Sequence, residues 1–329
     1  PANIMQMPRK RHPPATGRVD EGILTLDERT SGDGRSTSAA RMLIIYNPTA
    51  GLRRVGRLWR VLDILVGNGL RMELVETRHA GHAMALAREA AAEGAPLIVA
   101  AGGDGTIAEV ANGLNGSACA LGVIPLGTAN VLAHELGLPF APREVASALA
   151  FARTRPIWPG IATGPAGARV FVQMLGVGFD AQVVHDLRRP LKRVLGRGAY
   201  VVQSLCEAVR YRFPPIRLRL DGVAAEAATA VVSKGRLYGG PYLLAPGATP
   251  AARGFTVALF ERSGPAAALC YGAALPLDLL PRMPGLRRVR AAEVAIETAV
   301  PAQTDGDAAG TGPFTVRDAP RPIAIVVSS

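Results

Sequence analysis

The feature that most constrains the fold is an alternation, between residues 42 and 152, of short apolar runs with stretches of helical periodicity. Runs such as Pro96–Ala101 are apolar throughout, which is typical of parallel strands that helices cover on both faces. Strands that alternate with helices indicate a parallel sheet built from βαβ units. We therefore predict an α/β domain over residues 42–152, with a parallel sheet and helices on both faces.

After residue 152 the pattern changes to short strand-like runs that are interrupted by two helical stretches, 198–211 and 265–280. The predicted strands are Arg169–Met174, Ile216–Leu220, Ala228–Ser233, Phe255–Phe260, Val289–Ile296, Phe314–Val316 and Ile323–Val327. Many short strands predict a mainly antiparallel domain, sandwich-like or barrel-like, over residues 153–329. We take the β-sandwich as the prediction, with a last strand that can return to the first domain.

Residues 1–41 are rich in Pro, Arg, Gly, Ser and Thr and show no sustained apolar periodicity. This composition predicts a disordered N-terminal extension. No continuous apolar segment marks a secretory signal, and the longest apolar stretch, 265–280, is shorter than the roughly 20 residues that a membrane span needs. The three cysteines form no paired motif, which suits a reducing compartment. We expect a cytoplasmic protein.

The charge balance predicts an anionic partner, because 37 Lys and Arg face 26 Asp and Glu and give a formal net charge of +11. By charge alone, the partner can be nucleic acid, an acidic membrane or a phosphorylated substrate. Nucleic acid fits poorly, since no interleaved aromatic residues accompany the arginine clusters in 188–197, 210–219 and 282–290. These clusters are interpreted either as solvated surface or as a face for anionic phospholipid.

The strongest motif is a glycine-rich turn, Gly102-Gly103-Asp104-Gly105-Thr106, between a predicted strand and a predicted helix. Glycines let backbone N–H groups approach an anion closely, and the helix start adds partial positive charge. An acid inside such a turn suggests a bridging Mg²⁺ or a proton acceptor. The other predicted strands of this domain end at Asn47–Gly51, Thr77 and Pro125–Asn130, and four such turns at one sheet edge predict a nucleotide site.

These motifs resemble those of the diacylglycerol kinase catalytic domain family, which includes soluble bacterial lipid kinases and sphingosine kinases. The family's N-P-x-[SA]-G, G-G-D-G-T and P-L-G-T-x-N motifs match Asn47–Gly51, Gly102–Thr106 and Pro125–Asn130. The likeness continues, in order, through Leu175–Ala181, Tyr238–Gly240, Ala245–Pro246 and Asp305–Asp307.

The resemblance implies that the γ-phosphoryl of ATP is transferred, with Mg²⁺, to the hydroxyl of diacylglycerol or a related long-chain lipid alcohol at a membrane surface. It implies an ATP site formed by Asn47, Thr77, Gly102, Gly103, Asp104, Gly105, Thr106 and Thr128. Asp104 would act near the metal and phosphates. Asp307 would be the general base, since the family's D-G-E motif is here Asp305-Gly306-Asp307.

The sequence also departs from the family pattern. Val131 occupies a position that is usually acidic in the family. Arg253 replaces an acid that belongs to a secondary metal site in the soluble bacterial members, so we assign no ligand of that metal site here. Two alternatives stay open: an NAD-kinase-like small-molecule kinase, and a catalytically weakened regulator that binds nucleotide and lipid. The acceptor lipid and the oligomeric state, including a dimer, also stay open.

Overall fold

The computed structural model describes residues 23–25, 42–50, 54–186, 203, 207 and 209–328. The basic run 188–197 lies outside these described residues, as do nine of the fourteen residues of the predicted helix 198–211. Among the helices within them, none is long and apolar enough to cross a membrane.

The first part of the chain alternates strands and helices as predicted. Its elements are β1 Ile23–Thr25, β2 Met42–Tyr46, α1 Val55–Gly67, β3 Met72–Glu76, α2 His82–Ala92, β4 Leu97–Gly102, α3 Asp104–Leu114, β5 Ala120–Pro125, α4 Val131–Glu135, α5 Pro142–Phe151 and β6 Thr154–Ile157.

The second part is mainly strands. Its elements are β7 Gly160–Gly164, β8 Gly167–Phe171, β9 Met174–Gly178, α6 Phe179–Asp186, β10 Ile216–Leu220, β11 Val223–Ala227, β12 Thr229–Ser233, β13 Leu237–Tyr238, β14 Tyr242–Leu243, β15 Phe255–Phe260, α7 Pro265–Ala274, β16 Leu286–Ala291, β17 Val294–Ile296, β18 Pro301–Thr304, β19 Asp307–Thr311, β20 Phe314–Asp318 and β21 Ile323–Val326.

A seven-stranded sheet forms the centre of the first domain, in the order β1-β3-β2-β4-β5-β21-β6. Strands β3, β2, β4, β5 and β21 are parallel neighbours, while β1 and β6 pair antiparallel at the edges. One apolar core lies between the sheet and helices α1 and α5, and a second lies between the sheet and helices α2 and α3. The predicted parallel sheet with helices on both faces is confirmed.

Two six-stranded antiparallel sheets make up the second domain, in the orders β11-β10-β17-β20-β7-β8 and β16-β15-β12-β9-β18-β19. Residues of both sheets, among them Leu218 and Phe314 of one and Leu175 and Val257 of the other, form one shared buried core. The second domain is therefore a β-sandwich, as predicted. The last strand of the chain, β21, lies in the sheet of the first domain instead.

Three predicted segments were wrong in their boundaries. The single strand Arg169–Met174 is two strands, β8 and β9, that lie in different sheets. Val289–Ile296 is likewise divided into β16 and β17, because the amides of residues 292 and 293 turn to the Asp221 carboxylate. The helix predicted over 265–280 ends at Ala274, where Pro276 lacks an N–H to continue it, and short 3₁₀ turns follow.

The structure also differs from the prediction at Ile23–Thr25, within the stretch predicted to be disordered. These residues pair antiparallel with β3, so that Ile23 lies opposite Val75 and Leu24 opposite Leu74. Two apolar residues here extend a sheet edge that would otherwise present unpaired backbone groups. The rest of the predicted extension lies outside the described residues.

A buried lysine joins the two sheets of the sandwich. Lys234, which follows β12, has no exposed side-chain surface, and its ammonium donates to the carbonyls of Ala252 (3.0 Å) and Gly254 (2.9 Å). It also donates to the carboxylate of Asp318 on β20, at 2.7 Å. Burial lowers the pKa of Lys234, and the bond to Asp318 opposes this change. Three oxygen acceptors therefore compensate the cation for its lost hydration.

We expect Lys234→Met to lower the free energy of unfolding by about 3–5 kcal/mol, because it leaves a largely buried carboxylate without its cation. Urea unfolding followed by circular dichroism measures this loss. Arg287→Met is the matched control, since Arg287 forms an ion pair with Glu261 in which both side chains are about half exposed. We expect the control to cost less than about 1 kcal/mol. Equal losses in the two variants would contradict this account of Lys234.

Candidate functional site

Four strand ends of the first domain meet at one edge of the sheet. Because the strands are parallel, the registers place Tyr46 beside Glu76 and Ala101, and Gly102 beside Pro125. Strand β3 lies on one side of β2 and strand β4 on the other, so the order of the strands reverses at β2. In open α/β sheets, such a switch point opens a crevice at the carboxyl ends of the strands. The turns containing Asn47 and Gly102 flank this crevice.

Asn47 fixes the first turn of this edge to the glycine loop. Its side-chain amide donates to the Thr106 hydroxyl at 3.1 Å, and its Oδ1 accepts bonds from the amide and hydroxyl of Thr49. Its backbone N–H donates to the carbonyl of Ala101 at 3.0 Å. Asn47 and Thr106, both predicted as site residues, are therefore in direct contact.

Two glycines let the glycine loop and the turn after β5 touch. A methyl group on Gly127 would lie 2.5 Å from the Cα of Gly103, and one on Gly103 would lie 3.2 Å from the Cα of Gly127. The contacting atoms are backbone, so a side chain at Gly127 would force the two loops apart. Thr128, which follows, is exposed at the same edge. The other predicted residue, Thr77, is half-buried at the end of β3, where its N–H donates to the carbonyl of Tyr46.

The Asp104 carboxyl lies against the start of α4. Burial raises the pKa of Asp104, and nearby backbone amides of Asn130, Val131 and Leu132 oppose part of this rise. One oxygen, Oδ1, is buried and has no hydrogen-bond partner among the described residues. The valine at the position that is usually acidic therefore contributes a backbone amide near Asp104 instead of a second carboxylate. An unpaired buried oxygen fits a group that receives a proton or a cation.

Two arginines of the α1 region, which sequence reasoning missed, reach the same loops. Arg54 donates to the carbonyl of Gly127, and Arg57 donates to the carbonyl of Pro125 at 2.8 Å. Both are partly buried. Both arginines follow the Asn47 turn closely in the sequence, which suggests a position near the site. Nothing in the sequence, however, shows that the first turn of α1 faces the β5 loop.

The second domain brings Asp307 to the glycine loop. Asp305 and Gly306 form the turn between β18 and β19, with φ values of +50° and +86° that suit an Asp-Gly hairpin turn. Asp307 follows as the first residue of β19 and is half-buried. A methyl group on Gly105 would lie 3.0 Å from Oδ2 of Asp307. The carboxylate predicted as the base therefore lies beside the loop predicted to hold phosphate.

Asp305 anchors this hairpin to the break between β8 and β9. Its Oδ2 accepts the amide of Val172 at 2.7 Å, and its Oδ1 accepts the amides of Gln173 and Met174, each at 2.9 Å. Burial raises the pKa of Asp305 to about 6, the three amides oppose this change, and the charge of Asp104 adds to it. The three amides explain why the predicted strand 169–174 is divided. The sequence motif had suggested no such role for Asp305.

A second buried carboxylate supports the hairpin from the other side. Asp180, at the start of α6, accepts a bond from the Tyr238 hydroxyl and one from the Gln303 side-chain amide at 2.8 Å. Gln303 in turn accepts the backbone N–H of Gly306 at 2.8 Å. Burial raises the pKa of Asp180, and its two donors oppose this change. The motif residues Asp180 and Tyr238 therefore position the turn that carries Asp307.

No group of three or more His, Cys, Asp or Glu side chains in the described part of the chain is placed to hold a metal ion. Arg253 lies over the ring of Trp158, 4.2 Å from its centroid. The guanidinium therefore packs on an aromatic face at the position where other members of the resembled family carry an acid.

We expect Asp305→Asn to change how stability depends on pH. Because the pKa of Asp305 is raised to about 6, protonation of this carboxyl stabilises the folded protein. This contribution to the free energy of unfolding is complete at a pH below the ordinary aspartate pKa and is lost as the pH rises through about 6. Wild type should gain stability over the variant as the pH falls from 7 to 4, measured by urea unfolding at each pH. A constant difference between wild type and Asp305→Asn would contradict the expectation.

Comparison with known proteins assigns both domains. Residues 41–160 match the diacylglycerol kinase catalytic domain, and residues 173–327 match the YegS C-terminal NAD kinase beta sandwich-like domain. A Pseudomonas putida protein named "probable lipid kinase YegS-like" is 36% identical over 183 residues, which cover 54% of this chain and 60% of that protein. The diacylglycerol kinase of Bacillus subtilis is 35% identical over 185 residues, which cover 55% of this chain and 60% of that protein.

A solved structure of a diacylglycerol kinase from Bacillus anthracis str. Sterne has a TM-score of 0.67 at 22% sequence identity, over 88% of this chain and 97% of that one. This likeness concerns the fold. The chain spans about 60% of the length of these two curated relatives. The glycine loop lies in one matched domain and the Asp305–Asp307 hairpin in the other, so the chain contains a diacylglycerol kinase catalytic domain followed by a YegS-type C-terminal domain.

Proposed function

We propose that this chain is a lipid kinase that transfers the γ-phosphoryl of ATP to the hydroxyl of diacylglycerol or a related long-chain lipid alcohol. The reaction would take place in the cytoplasm, at an anionic membrane surface. The observation that carries the proposal is the position of Asp307, which the second domain brings beside Gly105 of the glycine loop. The names of the relatives support the lipid as acceptor.

ATP would lie along the carboxyl edge of the first sheet, with its phosphates on the glycine loop. Gly103 and Gly105 are partly exposed and place no side chain over the loop, and the start of α3 adds partial positive charge. The guanidinium groups of Arg54 and Arg57 lie behind the neighbouring turn. In phosphoryl transfer, such groups act mainly by positioning and by stabilising charge.

Asp307 would accept the proton of the lipid hydroxyl while the hydroxyl oxygen forms its bond to the γ-phosphorus. The bond from this phosphorus to the β–γ bridging oxygen breaks at the same time, and ADP leaves. A general base must be held within hydrogen-bond reach of its proton. The contacts of Asp305 and Gly306 with their neighbours restrict where the Asp307 carboxylate can lie.

Mg²⁺ fits the donor set at this edge, because hard cations take oxygen ligands and Asp104 has a buried oxygen with no partner among the described residues. When bound, it would be held by Asp104 together with phosphate oxygens and would neutralise negative charge on the phosphates. Arg253, which packs on the ring of Trp158, supplies no oxygen ligand.

We expect Asp307→Ala to lower the rate of phosphoryl transfer by about 10²- to 10⁴-fold while leaving ATP affinity nearly unchanged. Transfer is measured with labelled ATP and mixed micelles of diacylglycerol, and affinity by calorimetry with ATP. Asp307→Glu keeps a carboxylate and should retain more activity than the alanine variant. Full turnover in Asp307→Ala would exclude Asp307 as the base, and label in NAD without label in lipid would replace the proposal by a small-molecule kinase.

We expect Gly127→Ala to weaken ATP binding by at least about tenfold, because its methyl group would push apart the two loops that form the phosphate site. Calorimetry with ATP measures the change. Gly56→Ala is the matched control, since a methyl group at that helical position meets no atom within 4 Å. Unchanged affinity in Gly127→Ala would mean that the loop contact does not shape the ATP site.

A further inference from the structure

Helix α7 and the turns after it expose an apolar surface. From Pro265 to Leu277 there is no charged side chain. Tyr271 and Ala274 face the sheet, whereas Leu269 is 45% exposed and, beyond α7, Leu277 is 67% and Leu279 44% exposed. A surface helix of a globular protein ordinarily shows polar residues on its outer face. We call the exposed leucines 269, 277 and 279 the leucine patch.

Three arginines lie on the same side of the second domain as the leucine patch. In the register of β15 with β16, Arg288 lies opposite Ala258 and Arg290 opposite Thr256. Ala258 packs with Tyr271 and Leu280 under α7, so Arg288 and Arg290 belong to the sheet face that α7 covers. Both are exposed, as is Arg282 at the end of the second 3₁₀ turn. None of these three arginines forms an ion pair within the described part of the chain.

The acids near this surface are already engaged. Glu261 pairs with Arg287 at 2.8 Å, and Asp278 accepts the backbone N–H of Leu243 at 3.2 Å. The surface therefore combines exposed leucines with three arginines, which outnumber the one exposed acid among the leucines, Asp278. This combination matches an anionic bilayer, into which apolar side chains insert while arginines contact the lipid phosphates.

The same sheet face leads from α7 to the hairpin that carries Asp307. A row of directly opposite residues crosses the sheet, and its members are Arg288, Ala258, Val231, Gly176 and Gln303. Four strand spacings of about 4.8 Å make this row roughly 19 Å long. Gln303 ends the row and accepts the N–H of Gly306, next to Asp307. A bilayer on α7 would thus cover one end of a face whose other end supports the proposed base.

We propose that the leucine patch, together with Arg282, Arg288 and Arg290, is the surface by which this protein docks on an anionic lipid bilayer. The inference rests on the proposed lipid kinase function and names the part of the molecule that meets the membrane. Each arginine is expected to contribute about fivefold to the binding constant, from about 1 kcal/mol per basic residue at such a surface.

The test is sedimentation of the full chain with sucrose-loaded vesicles, without ATP. We expect binding to phosphatidylcholine vesicles that contain phosphatidylglycerol, weaker binding at high salt, and little binding to phosphatidylcholine alone. Leu277→Asp combined with Leu279→Asp should weaken binding at least tenfold, and Arg288→Gln combined with Arg290→Gln about 25-fold. All four side chains are exposed, so folding should be retained, which circular dichroism checks.

Matched controls lie on the other sheet of the sandwich. Val223 is 71% exposed on β11, and Arg217 is exposed on β10, so Val223→Asp and Arg217→Gln make the same chemical changes elsewhere. We expect both to bind vesicles as wild type does. The proposal would be overturned if the leucine double variant bound vesicles as wild type does, or if the controls lost as much binding. It would also be overturned if light scattering showed a dimer that the leucine double variant dissociates, because a second copy would then cover the leucine patch.

The same variants separate this proposal from the proposed function. In detergent-dispersed micelles of diacylglycerol, where docking on a bilayer is not required, the leucine and arginine variants should phosphorylate lipid at the wild-type rate. Vesicle binding that depends on the leucine patch, without any lipid phosphorylation by wild type, would end the kinase proposal and leave the docking surface standing. Lipid phosphorylation by wild type without patch-dependent vesicle binding would end the docking proposal and leave the kinase proposal standing.

Discussion

The organisation of the site depends on one carboxylate. Asp305 accepts the amides of residues 172, 173 and 174, at the point where the chain leaves one sheet of the sandwich for the other. Two oxygens accept three donors that would otherwise be buried without partners, a situation that costs about 1–3 kcal/mol for each group. The residue that turns the hairpin is thus also the residue that ties it down. The position of Asp307 beside Gly105 follows from this anchor.

Much of the first domain could be predicted because its signals are local. Continuous apolar strands, helical periodicity and turns at the strand ends are each visible within a few residues, and parallel strands necessarily bring Asn47 and Gly102 to one edge. The Asp305–Asp307 hairpin could be found only through its resemblance to a family motif. Contacts such as that of Lys234 with Asp318, 84 residues apart, leave no trace in local pattern. They depend on which sheet each strand joins, and antiparallel strands of similar composition do not specify that.

The boundary errors have the same origin. Apolar periodicity continues through residues 169–174 and 289–296, yet each run is divided where side-chain carboxylates from distant segments capture the backbone. A pattern along the chain measures which residues can be buried. It does not measure where a carboxylate elsewhere competes for the N–H groups of a strand, and this competition decides the boundaries here.

Three buried carboxylates near the proposed phosphate site raise an electrostatic question, since negative charge there would oppose an incoming nucleotide. Burial raises the pKa of Asp104, Asp180 and Asp305, so each binds its proton more readily than a solvated acid, and the charge of Asp104 adds to this effect at Asp305. Bonds from backbone amides or neutral side chains stabilise whatever negative charge remains. Asp307 differs from all three, because its carboxylate accepts no hydrogen bond within the described residues. A carboxylate that must accept a proton from a substrate needs this freedom, while its neighbours need only hold the structure around it.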